Sequence, residues 1–133
     1  MSTSVETKAE VRALIESWAA AVRNKDMDGI LAHHAEDFVM FDVPPPLVLR
    51  GLKAYRESWP PFFAASPTPP AFDIRELTIE ADGNVAFAIA LMRCGVVEGD
   101  ASNTLDFRLT IGLRKTAGRW MFVHEHHSVP ATD

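Results

Sequence analysis

The sequence predicts an α+β protein: helices from the N-terminal half pack on one face of an antiparallel sheet supplied by the C-terminal half. Three observations lead there. Apolar residues recur at spacings of three and four in the first half. Long β-prone runs with tight-turn signals between them fill the second. The 133 residues, 47% hydrophobic and 23% charged, suit one globular domain spanning residues 1–133.

The elements follow in order. Val11, Leu14, Ile15, Trp18 and Val22 mark the apolar stripe of a first helix, and Thr3 with Glu6 forms a capping-box signature at its start. Asp26 is a plausible N-cap for a shorter second helix bearing Ile30, Leu31 and His34, which must end before the β-prone residues 38–41. Eight of the nine prolines lie between Pro44 and Pro70, yet residues 51–65 carry Leu52, Tyr55, Trp59 and Phe63 at helical spacing, which a linker would not. A third helix is therefore expected there, kinked or split at Pro60 and Pro61. Pro44, Pro45 and Pro46 make a stiff connection between two extended pieces, residues 39–42 and 47–50. Residues 72–81 and 85–94 flank Asp82-Gly83-Asn84, and residues 104–115 and 120–128 flank Thr116-Ala117-Gly118. Both pairs read as antiparallel hairpins.

Alternation in the third long strand separates two faces. Leu105, Phe107, Leu109, Ile111 and Leu113 are apolar, whereas Asp106, Arg108 and Thr110 share the other face. With Lys115 opposite Arg119, Arg108 would lie across from His126, Thr110 from His124 and Asp106 from Ser128, giving one polar row. A slip of one residue would send these groups to opposite faces. On the last strand His124 and His126 share a face, while Glu125 and His127 point the other way.

Charge excludes some functions. A formal charge of -5, a pI near 5.5 and no Lys/Arg cluster argue against nucleic acid as a partner. Glu6, Lys8, Glu10, Arg12 and Glu16 interrupt any apolar leader or membrane helix, so no membrane partner and a cytoplasmic location are expected. Cys94, the single cysteine, has no internal disulfide partner and reads as a buried thiol. The sequence has no phosphate-binding glycine loop, serine elbow or metal-spaced cysteine set. Neither a cofactor nor a metal is expected.

Two stretches, Ala35-Glu36-Asp37-Phe38-Val39-Met40-Phe41-Asp42-Val43-Pro44 and Gly118-Arg119-Trp120-Met121-Phe122-Val123-His124-Glu125-His126-His127-Ser128-Val129-Pro130, resemble the nuclear transport factor 2-like superfamily. The likeness is to its SnoaL-like and ketosteroid isomerase-like branch, and the second stretch also resembles the end of a calcium/calmodulin-dependent protein kinase association domain. The resemblance implies a cone: a curved sheet wrapping three helices around one pocket, with a homodimer formed through the sheet's outer face. The apolar face of residues 104–114 would suit that interface, or else pack on helices.

Asp42 ends an extended piece before Val43-Pro44, where ketosteroid isomerases place their catalytic aspartate. It reads as a pocket base or as a solvated strand-end carboxylate. Trp18 falls where the isomerases carry an oxyanion-hole tyrosine, and an indole has no phenolic hydroxyl, so steroid isomerisation is not expected. His126 is the candidate general acid or substrate-orienting group, with a structural histidine as the alternative. Arg108 is the candidate charge stabiliser, held by Asp106 or Asp42, with a surface ion pair as the alternative. Trp18, Tyr55, Trp59, Phe63, His124 and Asp106 complete the candidate ligand-binding set, which suits a small, flat, apolar molecule. The functional expectation is cofactor-free acid-base isomerisation, cyclisation or dehydration of an apolar carbonyl compound, or a non-catalytic binding or dimerisation module on the same cone.

Overall fold

The structure, a computed structural model, describes residues 3–65, 69–98 and 101–131. Four helices lie in the N-terminal half of this range, two before and two after the first pair of strands: α1 (Ser4–Arg23), α2 (Met27–Leu31), α3 (Leu52–Ser58) and α4 (Pro60–Ala64). The strands are β1 (His34–Phe41), β2 (Leu49–Arg50), β3 (Ala71–Asp82), β4 (Val85–Glu98), β5 (Ala101–Thr116) and β6 (Arg119–Ser128). They form one curved, unclosed sheet in the order β2-β1-β6-β5-β4-β3. All its pairings are antiparallel except β1 with β6, which run parallel.

Local chemistry fixes the helices. Thr3 accepts from the Glu6 amide at 3.1 Å while the Glu6 carboxylate takes the Thr3 amide at 3.2 Å, the reciprocal cap expected of α1. Asp26 caps α2 through the Gly29 amide at 3.2 Å. A side chain at Gly29 would place its Cβ 2.8 Å from Ala21 Cβ, so glycine lets α2 fold back against α1. The second helix stops at Leu31, before His34, which opens β1 instead of ending the helix; His33, at φ 62°, turns the chain between them. The prolines split the third predicted helix into α3 and α4, with Pro60 at the first position of α4.

The core lies between α1 and the concave face of the sheet. Val11, Ile15, Trp18 and Val22 from α1 meet Phe38 and Met40 of β1, the buried alanines and Met92 of β4, and Phe107, Leu109, Ile111 and Leu113 of β5. The apolar face of β5 therefore packs inward on helices. Asp106, Arg108 and Thr110 face outward and are exposed, so the polar row lies on the convex surface and not between the sheet and the helices. The reason is the hydrophobic effect: the only surface able to cover the helices' apolar stripe is the apolar face of the sheet.

The hairpin register also differs from expectation. Arg108 pairs with Ser128, Thr110 with His126, Gly112 with His124 and Thr116 with Arg119. Two departures of one residue each produce this shift of two. The turn is a two-residue loop, Ala117 and Gly118 both at positive φ (51° and 78°), and a bulge lies where Gly112 faces His124 but Leu113 faces Phe122. Together they restore parity, so His124 and His126 still share the face of Arg108 and Thr110.

Candidate functional site

At the open end of the cone, α3 and α4 stand off the concave sheet and leave a cavity of about 420 Å³. Its wall is mainly apolar and aromatic, with Met40, Trp59, Phe62, Phe72, Leu105, Phe107 and Val129. Polar side chains enter it from three elements and one loop: Asp42 after β1, Ser58 of α3, Cys94 of β4 and His127 of β6. The volume lies within the range of small-molecule sites.

Behind His127 sits a buried proton-handling cluster. Glu125 is fully buried. His127 Nε2 lies 3.0 Å from Glu125 Oε1, and His34 Nε2 lies 2.9 Å from Glu125 Oε2. Tyr55 donates its hydroxyl to Glu125 Oε2 at 3.2 Å and accepts from Trp18 Nε1 at 2.9 Å. Both imidazoles donate Nε2–H, because an ionised carboxylate can only accept. His34 Nδ1 in turn faces the Ala32 carbonyl at 3.3 Å, so both nitrogens of that ring are set against acceptors. His34 and His127 thus clasp the buried carboxylate from two sides, and on the cavity side His127 Nδ1 has no protein hydrogen bond among the described residues. Phe107 stacks on its ring at 5.4 Å with planes 5° apart, fixing its orientation.

The electrostatics agree with this geometry. Burial by itself would push the Glu125 carboxyl up, but hydrogen bonds from His127 and His34, and their charges, outweigh it and hold the group down at about 2. Burial pushes the Tyr55 hydroxyl well above its ordinary value, with the Glu125 charge acting in the same direction. The Cys94 thiol is raised too, first by burial and then by the charges of Asp42 and Asp106, so it stays protonated near neutrality.

The sequence matches the SnoaL-like domain family over residues 11–132. The chain belongs to the SnoaL-like family. Among solved structures, this SnoaL-like chain is similar to a nuclear transport factor 2-like protein of unknown function from Pseudomonas putida, at 36% identity and a TM-score of 0.88, over 97% of this chain and 90% of that one. A nuclear transport factor 2-like superfamily protein from Salmonella enterica shares the fold at 17% identity and a TM-score of 0.81, covering 98% and 95% of the two chains. The association domain of C. elegans CaMKII does so at 14% identity and a TM-score of 0.76, covering 95% and 98%. No curated protein matches the chain.

In this SnoaL-like cone the sequence-predicted residues divide into three groups. Asp42 and Trp59 line the cavity. Trp18 and Tyr55 lie in the core behind it, bonded to each other, and Phe63 stacks on Trp59 at 5.9 Å without reaching the cavity wall. Arg108, Asp106, His124 and His126 belong to the convex face. Asp106 holds Arg75 at 3.0 Å and Arg93 at 3.3 Å; Arg108 Nε donates to Ser128 at 3.1 Å. His124 Nδ1 donates to the Val39 carbonyl at 2.7 Å, and Phe41 sets its edge against both outer imidazoles. Asp42, Arg108 and His126 therefore do not converge on one cavity. A separate recess of about 450 Å³ beside Arg75, Asp106 and Arg108 is walled by these exposed ion pairs.

Sequence reasoning passed over His34, Glu125 and His127. One signal was available. Trp120 and Phe122 are large apolar residues on one face of β6, and a carboxylate between two histidines beyond them would join that face only across a bulge. Nothing in the local sequence announces the bulge itself.

Proposed function

We propose that this SnoaL-like chain binds a small, largely apolar carbonyl compound in the cone cavity and abstracts a proton from it, with His127 as base and Asp42 as the second acid-base group. The observation that carries this reading is His127 itself: one ring nitrogen is held by buried Glu125, while the ring lines the cavity with its other nitrogen unpaired among the described residues. A base oriented by a buried carboxylate is the arrangement general base catalysis requires. Isomerisation, cyclisation and dehydration of a carbonyl compound share this first proton transfer. Glu125, His34 and Tyr55 are positioning residues that act through His127.

The test is exchange in D₂O. Small conjugated and β-hydroxy ketones are incubated with the protein and their acidic C–H positions are followed by NMR. Deuteration by the wild type, lost in His127→Ala and kept in His126→Ala, is the expected result. Equal deuteration by His127→Ala, or none by the wild type across the panel, overturns the base assignment.

A second reading, homodimerisation through the outer face of the sheet, draws support from a different feature. Val85, Phe87, Ile89 and Leu91 form an exposed apolar stripe along β4, 42% to 62% accessible, where alternation puts only outward positions. Exposed apolar rows of this kind mark contact surfaces. On this reading the interface is formed by β4, since the apolar face of β5 is consumed by the core. Sedimentation equilibrium should give a dimer that Ile89→Lys converts to monomer; a monomeric wild type sinks this reading.

A further inference from the structure

The polar groups of the cavity are unequal in kind. Asp42 Oδ1 accepts from the Val43 amide at 2.8 Å, which consumes that amide and leaves the second carboxylate oxygen as an acceptor. Ser58 donates its only hydrogen to the Tyr55 carbonyl at 2.6 Å, so its remaining capacity is to accept. His127 gives Nε2–H to Glu125 and, in the neutral form that the proposed base requires, presents Nδ1 as another acceptor. Pro44 and Pro61, in the same wall, have no N–H to give. The Trp59 indole N–H is sealed from solvent and has no hydrogen-bond partner among the described residues, its influence falling on the Tyr55 hydroxyl behind the wall. Apart from that buried indole, the donor left among the described lining side chains is the thiol of Cys94, a weak one, so acceptors predominate.

Charge points the same way. No lysine or arginine lines the cavity among the described residues, and the sequence has none in 66–68 or 96–103. A ligand carboxylate would meet the Asp42 carboxylate without a compensating cation, an arrangement that interfaces use to reject wrong partners. The wall itself is ring-rich: Trp59 meets Phe72 edge-on at 5.8 Å, and Phe72 meets Phe107 at 5.9 Å. Such walls favour a flat aromatic body.

We infer that the cavity selects a flat aromatic compound that donates hydrogen bonds to Asp42 and His127, a phenol or an aryl-bearing amine, and rejects aryl carboxylates. The inference rests on the reading of this cavity as the ligand site and narrows it: a substrate for His127 would carry a hydroxyl or amino group on or beside its ring as well as the reacting carbonyl.

The test keeps one ring system and changes only its polar group. Calorimetric titrations compare 2-naphthol, 2-methoxynaphthalene, 2-naphthoate and 2-naphthylmethylamine on the wild type and on Asp42→Asn. The wild type should bind 2-naphthol about tenfold or more tightly than 2-methoxynaphthalene, which cannot donate and leaves the buried acceptors unpaired. It should not measurably bind 2-naphthoate. Tight binding of the amine as well as the naphthol assigns an ammonium to Asp42; binding of the naphthol alone assigns a neutral hydroxyl donor. Asp42→Asn, which replaces an acceptor-only group by one that can also donate, should admit 2-naphthoate and shrink the preference for naphthol over its methyl ether to about threefold or less. Comparable wild-type binding of naphthol, ether and carboxylate, with Asp42→Asn without effect, overturns the donor rule and leaves the cavity as a site. Failure of all four to bind overturns the rule and the cavity's role as a site for flat aromatic ligands together. The base assignment to His127 is decided separately by deuterium exchange.

Discussion

Residues 124–127 of β6 hold two pairs of similar chemistry in opposite settings. His124 and His126 face out from the sheet, the latter exposed; Glu125 and His127 face in and are buried. The outer pair meets water, one backbone carbonyl and the edge of Phe41. The inner pair belongs to a continuous chain of hydrogen bonds from Trp18 through Tyr55 to Glu125 and its two imidazoles. The contrast teaches that residue type did not decide which histidine becomes a candidate base. The position of a single bulge did.

Substitutions along this strand and its contacts should separate the two sides by size of effect. Glu125→Ala breaks the buried pairs with both His34 and His127 and should destabilise the fold by about 3–5 kcal/mol in urea denaturation. A loss below ~1 kcal/mol would show that the inner cluster is no better held than the outer pair. Next in size, Tyr55→Phe removes a donor to Glu125 and strands the Trp18 N–H, at a cost of about 1–3 kcal/mol. His124→Ala deletes one hydrogen bond to Val39, worth about 0.5–1.5 kcal/mol, and His126→Ala should fall within about 0.5 kcal/mol of wild type. An outer substitution that matched Tyr55→Phe would erase the distinction.

Acid sharpens the same comparison. The Glu125 carboxyl is lower in the fold, about 2, than its ordinary 4.5, so the native state binds its proton less readily than the unfolded chain. Its contribution is fully present above about 4.5 and is lost as pH falls toward about 2. Denaturation midpoints measured from pH 5 to pH 2 should fall in the wild type and in His126→Ala, and should fall less steeply in Glu125→Gln. Parallel slopes in all three would place the acid sensitivity elsewhere.

Much of the fold was legible because its signals are local. The Thr3 and Glu6 cap, the Asp82-Gly83-Asn84 turn and the proline break between α3 and α4 are each written within a few residues, and each stands where expected. The site was less legible because its geometry is assembled at a distance. Strand alternation correctly grouped Asp106, Arg108 and Thr110 on one face, but it cannot say which face meets the helices, and the apolar alternative went inward. The bulge at Val123 then exchanged the inward positions of β6 from even to odd numbers. His34, placed at the end of a helix by periodicity, was moved into a strand by a backbone turn at His33. Asp42 was found because it lies beside a proline-rich turn that the sequence marks plainly.

The parallel pairing of β1 with β6 has a consequence for the birth of the protein. His34 and Glu125 stand 91 residues apart in the chain, and Val39 and His124 stand 85 apart. During synthesis β1 must therefore wait, one edge unpaired and His34 without its carboxylate, until nearly all of the sheet that separates it from its partner has been made. Helices and the β3–β4 hairpin can form from neighbouring sequence in the meantime. The cavity's base acquires its orientation only when the last long strand closes against the first, so the chemistry of this cone is the final thing its folding completes.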